Sequence, residues 1–107
     1  MTESDAAGFV RADGETATVF AGDYLNKVSG ETIERECREL LSGGCREIVV
    51  NFSHTEIVNS IGVSILLGLI DSASGTGAKV VFSDLNTSTT ELFEMLGLMK
   101  HVDIRES

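Results

Sequence analysis

A chain of 107 residues, 42% apolar and 23% charged, is long enough for one hydrophobic core and too short for two. Its net charge of −9 argues against nucleic acid or an anionic membrane surface as partner, because both demand clustered Lys and Arg. The apolar run 57–70 is too short to span a bilayer and holds Asn59, Ser60, Gly62 and Ser64; the acidic start Met1-Thr2-Glu3-Ser4-Asp5 lacks the regions of a signal peptide, so a cytoplasmic location is expected.

A single domain is expected over 1–107, with the small, polar residues 1–7 flexible. Phe9-Val10-Arg11 and Thr16-Ala17-Thr18-Val19-Phe20-Ala21 have strand composition, and Asp13-Gly14 between them predicts a hairpin turn, since glycine takes the positive φ a tight turn needs. Asp23-Tyr24-Leu25-Asn26 is expected to be loop. A first helix follows, with Ser29 as N-cap and Val28 stapled onto Ile33. Ile33, Cys37, Leu40 and Leu41 recur at helical spacing, and Gly43-Gly44 ends the run. Ile48-Val49-Val50-Asn51-Phe52 is apolar on both faces, as a strand in the middle of a covered sheet should be.

After a polar linker at 53–56 comes the most apolar stretch, predicted as a helix over 60–74 that stops at Gly75-Thr76-Gly77. Two readings compete for it. Seven large aliphatics (Ile61, Val63, Ile65, Leu66, Leu67, Leu69, Ile70) make it a core helix. Ser60, Ser64, Gly68 and Ser72, four residues apart, instead make a stripe of small residues along one face, where another protein's backbone could approach closely. Ser60 is equally double: a cap bonded to a first-turn N–H, or a phosphoryl acceptor at a helix start whose dipole favours the added charge.

Residues 78–82 predict the next strand, and Ser88 with Glu91 has capping-box spacing for a third helix lined by Leu92, Phe93 and Leu96 and ended by Gly97. Val102-Asp103-Ile104 closes the pattern. The alternation of helix and strand after the hairpin implies a mixed, largely parallel α/β sheet with right-handed crossovers.

Other chemistry finds little support. Gly75-Thr76-Gly77-Ala78-Lys79 faintly resembles a phosphate loop but precedes a strand and lacks the spacing. His54 and His101 are isolated, Cys37 and Cys45 lack metal-ligand spacing and are expected as reduced structural thiols, and Ser60 lacks a nucleophile elbow. No metal, cofactor or catalytic role is expected. Ser88 is explained as a cap.

Asn59-Ser60-Ile61-Gly62-Val63-Ser64-Ile65-Leu66 resembles the Asp-Ser-[Ser/Thr]-Gly-aliphatic motif of STAS domains, best known from bacterial anti-sigma factor antagonists. Ala21-Gly22, Ile48-Val49-Val50-Asn51-Phe52 and Leu92-Phe93-Glu94-Met95-Leu96-Gly97-Leu98 fall where that family places equivalents, so the likeness covers nearly the whole chain. The resemblance implies a small α/β sandwich and partner switching. The unphosphorylated form binds an anti-sigma factor that is itself a serine kinase, phosphorylation of Ser60 ends the interaction, and a PP2C-type phosphatase restores it. Partner-binding residues would be Asp23, Asn26, Asn59, Ser60, Ile61, Gly62, Ser64 and Gly68. Three departures stand out: Asn59 replaces Asp, Ile61 replaces a hydroxyl, and Leu25 stands where many members carry an Asp, with Asp23 and Asn26 nearby as substitutes. They raise an alternative, a STAS subunit of a stress-signalling scaffold or of a lipid-transport complex, not regulated by phosphorylation.

Overall fold

The computed structural model describes residues 10–100 and 102–105. β1 (Val10–Asp13) and β2 (Thr16–Phe20) pair antiparallel through a turn at Gly14 and Glu15, where Gly14 has φ +66°. The turn falls one residue later than expected because Asp13 is still paired, with Thr16. Phe9, residues 1–7 and His101 lie outside the described residues.

β4 (Glu47–Asn51), β6 (Lys79–Ser83) and β7 (Asp103–Arg105) continue the sheet in parallel, in the order β1-β2-β4-β6-β7. The crossovers carry α1 (Lys27–Ser42), α2 (Ser60–Thr76) and α3 (Thr87–Met95), the last followed by a 3-10 turn at Leu98–Lys100. β4 is central, and its Ile48, Val49 and Val50 are all buried, as a strand apolar on both faces requires. Val19, Ile48, Val50, Val80 and Phe82 on one sheet face form a single core with Ile33 and Cys37 of α1, Val63, Leu66 and Leu69 of α2, and Phe93 of α3. Phe52, Phe82 and Phe93 meet there with ring centroids 5.1 to 5.6 Å apart.

The expected loop at 23–26 holds a second, two-stranded parallel ribbon. β3 (Tyr24–Leu25) pairs with β5 (Ile57–Val58) in the register Tyr24↔Ile57 and Leu25↔Val58. Two residues are too few to show alternation, which is why the sequence reads as loop.

The caps also differ from expectation. α1 is capped by Asn26, whose Oδ1 accepts the Ser29 N–H at 3.0 Å while Ser29 Oγ accepts the Asn26 N–H at 2.9 Å. Ser29 is thus the far half of a capping box, and Val28 is 73% exposed and staples nothing. At α3 the cap is Asn86, accepting from the Thr89 N–H, so capping does not account for Ser88. Leu96 is that helix's C-cap and is exposed, leaving Phe93 buried and Leu92 half-buried on the inner face. α2 runs past Gly75 to Thr76 and ends at Gly77 with φ +80°, so the phosphate-loop look-alike is a helix end and a strand start.

Two glycines set how closely α1, α2 and the ribbon pack. A Cβ at Gly30 would lie 3.1 Å from Ile65 Cδ1 and 3.5 Å from Gly62 Cα. A Cβ at Gly62 would lie 2.8 Å from Leu25 Cγ and 2.9 Å from the Leu25 carbonyl oxygen, part of it unyielding backbone. Gly62→Ala should therefore cost about 1–3 kcal/mol by overpacking in urea denaturation. Gly68→Ala, where nothing lies within 4 Å, should instead stabilise by about 0.5–1 kcal/mol through helix propensity. Equal effects at the two sites would contradict the packing.

Both cysteines are free, and burial pushes the Cys37 thiol up from 9.0 to about 12, with Cys45 and nearby glutamates adding to the effect. The folded state therefore disfavours the thiolate: its stability is fully present below pH 9.0 and is lost as pH rises toward about 12. Equilibrium unfolding across that range should show this alkaline loss, and Cys37→Ala should flatten it.

Candidate functional site

The site begins with a division of tasks between neighbouring residues. Asn59, in extended conformation (φ −108°, ψ 163°), accepts the Gly62 N–H on its Oδ1 at 3.0 Å, and so caps α2. Its own N–H donates to the Leu25 carbonyl at 2.9 Å, tying the helix start to the ribbon. Ser60 is then the first helical residue, not the cap. It is exposed, its hydroxyl has no hydrogen-bond partner among the described residues, and its carbonyl accepts Ser64 Oγ at 3.1 Å. A free hydroxyl beside the uncompensated N–H groups of a helix N-terminus is electrostatically suited to gain negative charge.

Down the helix, Ser64 and Gly68 are exposed and Ser72 is half-buried, so the small stripe lies largely on the outside. Val63, Leu66, Leu69 and Ile70 turn inward, while Ile61 and Leu67 stay 53% and 40% exposed beside the stripe. Core helix and small-residue face thus describe two sides of one element.

The other predicted residues divide by accessibility. Asp23 is exposed, and its carbonyl receives the N–H groups of Glu56 and Ile57. Asn26 is half-buried with its carboxamide engaged in the α1 cap, and Asn59 is half-buried with its own engaged at α2. Gly62 is buried under Leu25, so it shapes the helix start from beneath and presents no surface. Leu25 itself is fully buried, which leaves Asp23 as the exposed acidic group of that segment. Thr55, buried in the linker, donates from Oγ1 to the Gly22 carbonyl at 2.6 Å and receives Asn86 Nδ2 on its carbonyl at 3.2 Å, fixing the loops at this end of the sheet.

Two exposed apolar residues here escaped the sequence reading, Tyr24 and Ile57, at 40% and 57%. They are cross-strand neighbours on the outer side of the ribbon, and the only signal in the sequence was an apolar pair flanked by carboxylates.

A groove of about 560 Å³ lies elsewhere, between the second half of α2 and β6–β7. It is edged by Asp71, Lys79, Lys100 and Asp103, of which Lys79 and Asp103 pair at 2.7 Å, and its lining holds no nucleophile with a base. Among the described residues no group of three or more His, Cys, Asp or Glu could hold a metal, and no helix is long and apolar enough to cross a membrane.

The family model for the STAS domain matches residues 10–107, and the chain belongs to that family. Among solved structures it is similar to the Thermotoga maritima protein TM1081, at 14% identity and a TM-score of 0.82 over 99% of this chain and 91% of that one. It is also similar to the anti-sigma factor antagonist SpoIIAA in its unphosphorylated form (15%, TM-score 0.75, 92% and 87%) and to the Bacillus cell fate determinant SpoIIAA in the phosphorylated form (17%, TM-score 0.74, 92% and 89%). At these identities the likeness establishes the fold, a mixed α/β sheet with three helices. No curated protein matches the sequence significantly.

The split between cap and free hydroxyl is measurable. Asn59→Ala should destabilise the protein by about 1 kcal/mol through loss of the cap, while Ser60→Ala should fall within about 0.5 kcal/mol of the parent in chemical denaturation. A larger loss at Ser60 than at Asn59 would reverse the assignment.

Proposed function

We propose that this chain is a non-catalytic anti-sigma factor antagonist that works by partner switching at Ser60. The observation that supports the reading is the exposed, unpartnered Ser60 hydroxyl on the first turn of α2, freed from capping by Asn59. Membership of the STAS family and the likeness to an antagonist solved with and without phosphate point the same way.

In the proposed cycle the unmodified face binds an anti-sigma factor with serine kinase activity. That kinase then transfers phosphate: Ser60 Oγ bonds to the γ-phosphorus of ATP, the β–γ bridging P–O bond breaks, ADP leaves, and the hydroxyl proton passes to a base of the kinase. A PP2C-type phosphatase hydrolyses the new ester. The added charge of about −1.5 to −2 is tolerated by the fold, since a helix N-terminus favours anions by about 0.3–1 kcal/mol. A docked partner fares differently. Around Ser60 lie the small stripe and exposed apolar side chains, so closing an interface there would strip water from a dianion against apolar surface, a cost of several kcal/mol. Release needs no rearrangement inside the domain.

Incubation with ATP and the cognate kinase, followed by intact-mass and site mapping, should show one phosphate, on Ser60, and none on Ser60→Ala. A phosphate retained by Ser60→Ala would move the site. An unmodified parent chain that binds the kinase stably would favour the scaffold role instead.

A further inference from the structure

We infer that the partner docks through an apolar collar of Tyr24, Ile57 and Ile61 and presents to it aliphatic side chains edged by Lys and Arg, an inference that rests on taking the Ser60 face as the docking surface. The collar starts from the ribbon. Leu25 and Val58 point inward, at 0% exposed and half-buried, so the outward side of the same two strands carries Tyr24 and Ile57, in register with each other. A strand face turned to water normally carries polar residues; this one is apolar on both strands. Ile61 continues the surface on the first turn of α2, and Val28, 73% exposed, lies in the first turn of α1, four residues after Tyr24. Of the eight large hydrophobics exposed among the described residues, these four sit on the ribbon and on the first turns of α1 and α2, the elements that surround Ser60. Such a concentration marks an interaction surface rather than the scattered exposure of an ordinary domain.

Charge selects the occupant. Asp23 and Glu56 are exposed and adjacent, joined by the Glu56 N–H on the Asp23 carbonyl at 2.9 Å, and they immediately precede Tyr24 and Ile57 on the two strands. Neither carboxylate has an ion-pair partner among the described residues, whereas Lys79–Asp103, Arg105–Glu47 and Arg38–Glu34 are paired elsewhere on the surface. Exposed Glu31 on α1 adds a third carboxylate, and among the described residues of the ribbon and the first turn of α1 the cation present is Lys27. Apolar centre and acidic edge together fit a partner of the opposite edge charge. A second copy of this chain would bring the same carboxylates and a net charge of −9 against its own, so self-docking is disfavoured. Along the chain Ser60 falls between strand β5 and Ile61, so its phosphate would be dehydrated against apolar groups while the edge carboxylates govern encounter.

The test uses the intact, isotope-labelled chain and a synthetic amphipathic peptide with Leu on one face flanked by Lys. Amide shifts should appear at Tyr24, Ile57 and Ile61, and affinity should fall when salt rises from about 50 to about 500 mM. The double variant Tyr24→Ser, Ile57→Ser, both exposed positions, should keep its spectrum yet bind at least about tenfold more weakly. The same peptide with Glu for Lys should not bind. Shifts confined to other surfaces, undiminished binding by the double variant, equal binding of the Glu peptide, or self-association through the collar would each overturn the inference. No phosphate is involved, so a chain that shows the collar but is never phosphorylated separates this inference from the switch.

Discussion

Backbone meets backbone where Gly62 of α2 lies against Leu25 of the ribbon and Gly30 of α1 lies against Gly62. No side chain larger than hydrogen fits at Gly62, because a Cβ there would come within 2.9 Å of a carbonyl oxygen that cannot move without unpairing Asn59. This contact fixes the height and direction at which α2 leaves the ribbon. It also explains why the first turn carries no side chain where it meets the ribbon. The outer side inherits its position from the inner one: with Gly62 seated and Asn59 bonded to Leu25, Ser60 faces outward.

Along α2 this creates two surfaces with different chemistry. Val63, Leu66, Leu69 and Ile70 belong to the core and hold the helix on the sheet, so the helix needs no outer-face contacts for its stability. The outer face is therefore free to carry Ser60, Ser64 and Gly68, residues that contribute nothing to packing. Addition of charge at one end of such a face leaves the core undisturbed. Under the proposed function, a modification there would alter binding without a transmitted conformational change.

Much of this was legible in the residues. The β-branched run of β4, the helical spacing of Ile33 and Cys37, and the glycine stops gave the sheet and the helices, because each element is long enough to show its period. The ribbon was not legible, since two-residue strands carry no period and are held by partners more than thirty positions away. Cap choice failed for a different reason. Asn26 and Ser29, like Asn86 and Ser88, are nearly equal as caps by intrinsic preference, and tertiary contact decides between them. Ser29 is taken inward, donating from Oγ to the Tyr24 carbonyl at 2.6 Å, so Asn26 is left to cap. At the candidate site, the motif spacing singles out Ser60 as the expected acceptor, but whether its hydroxyl is free depends on Asn59 reaching Gly62, a geometric fact. Gly62, expected among the partner-binding residues, is buried against Leu25, a contact that no spacing in the sequence could show.

The central claim is that charge on Ser60 changes what the domain binds and not how it is folded. The direct measurement is calorimetric binding of the proposed anti-sigma kinase to the unmodified and the stoichiometrically phosphorylated chain, with amide spectra of both forms recorded alongside. The account predicts at least about a hundredfold loss of affinity, in line with a dianion's desolvation cost, with spectral changes limited to the start of α2 and the ribbon. Equal affinity for the two forms, or a phosphorylated chain whose spectrum is altered throughout the core, would contradict it.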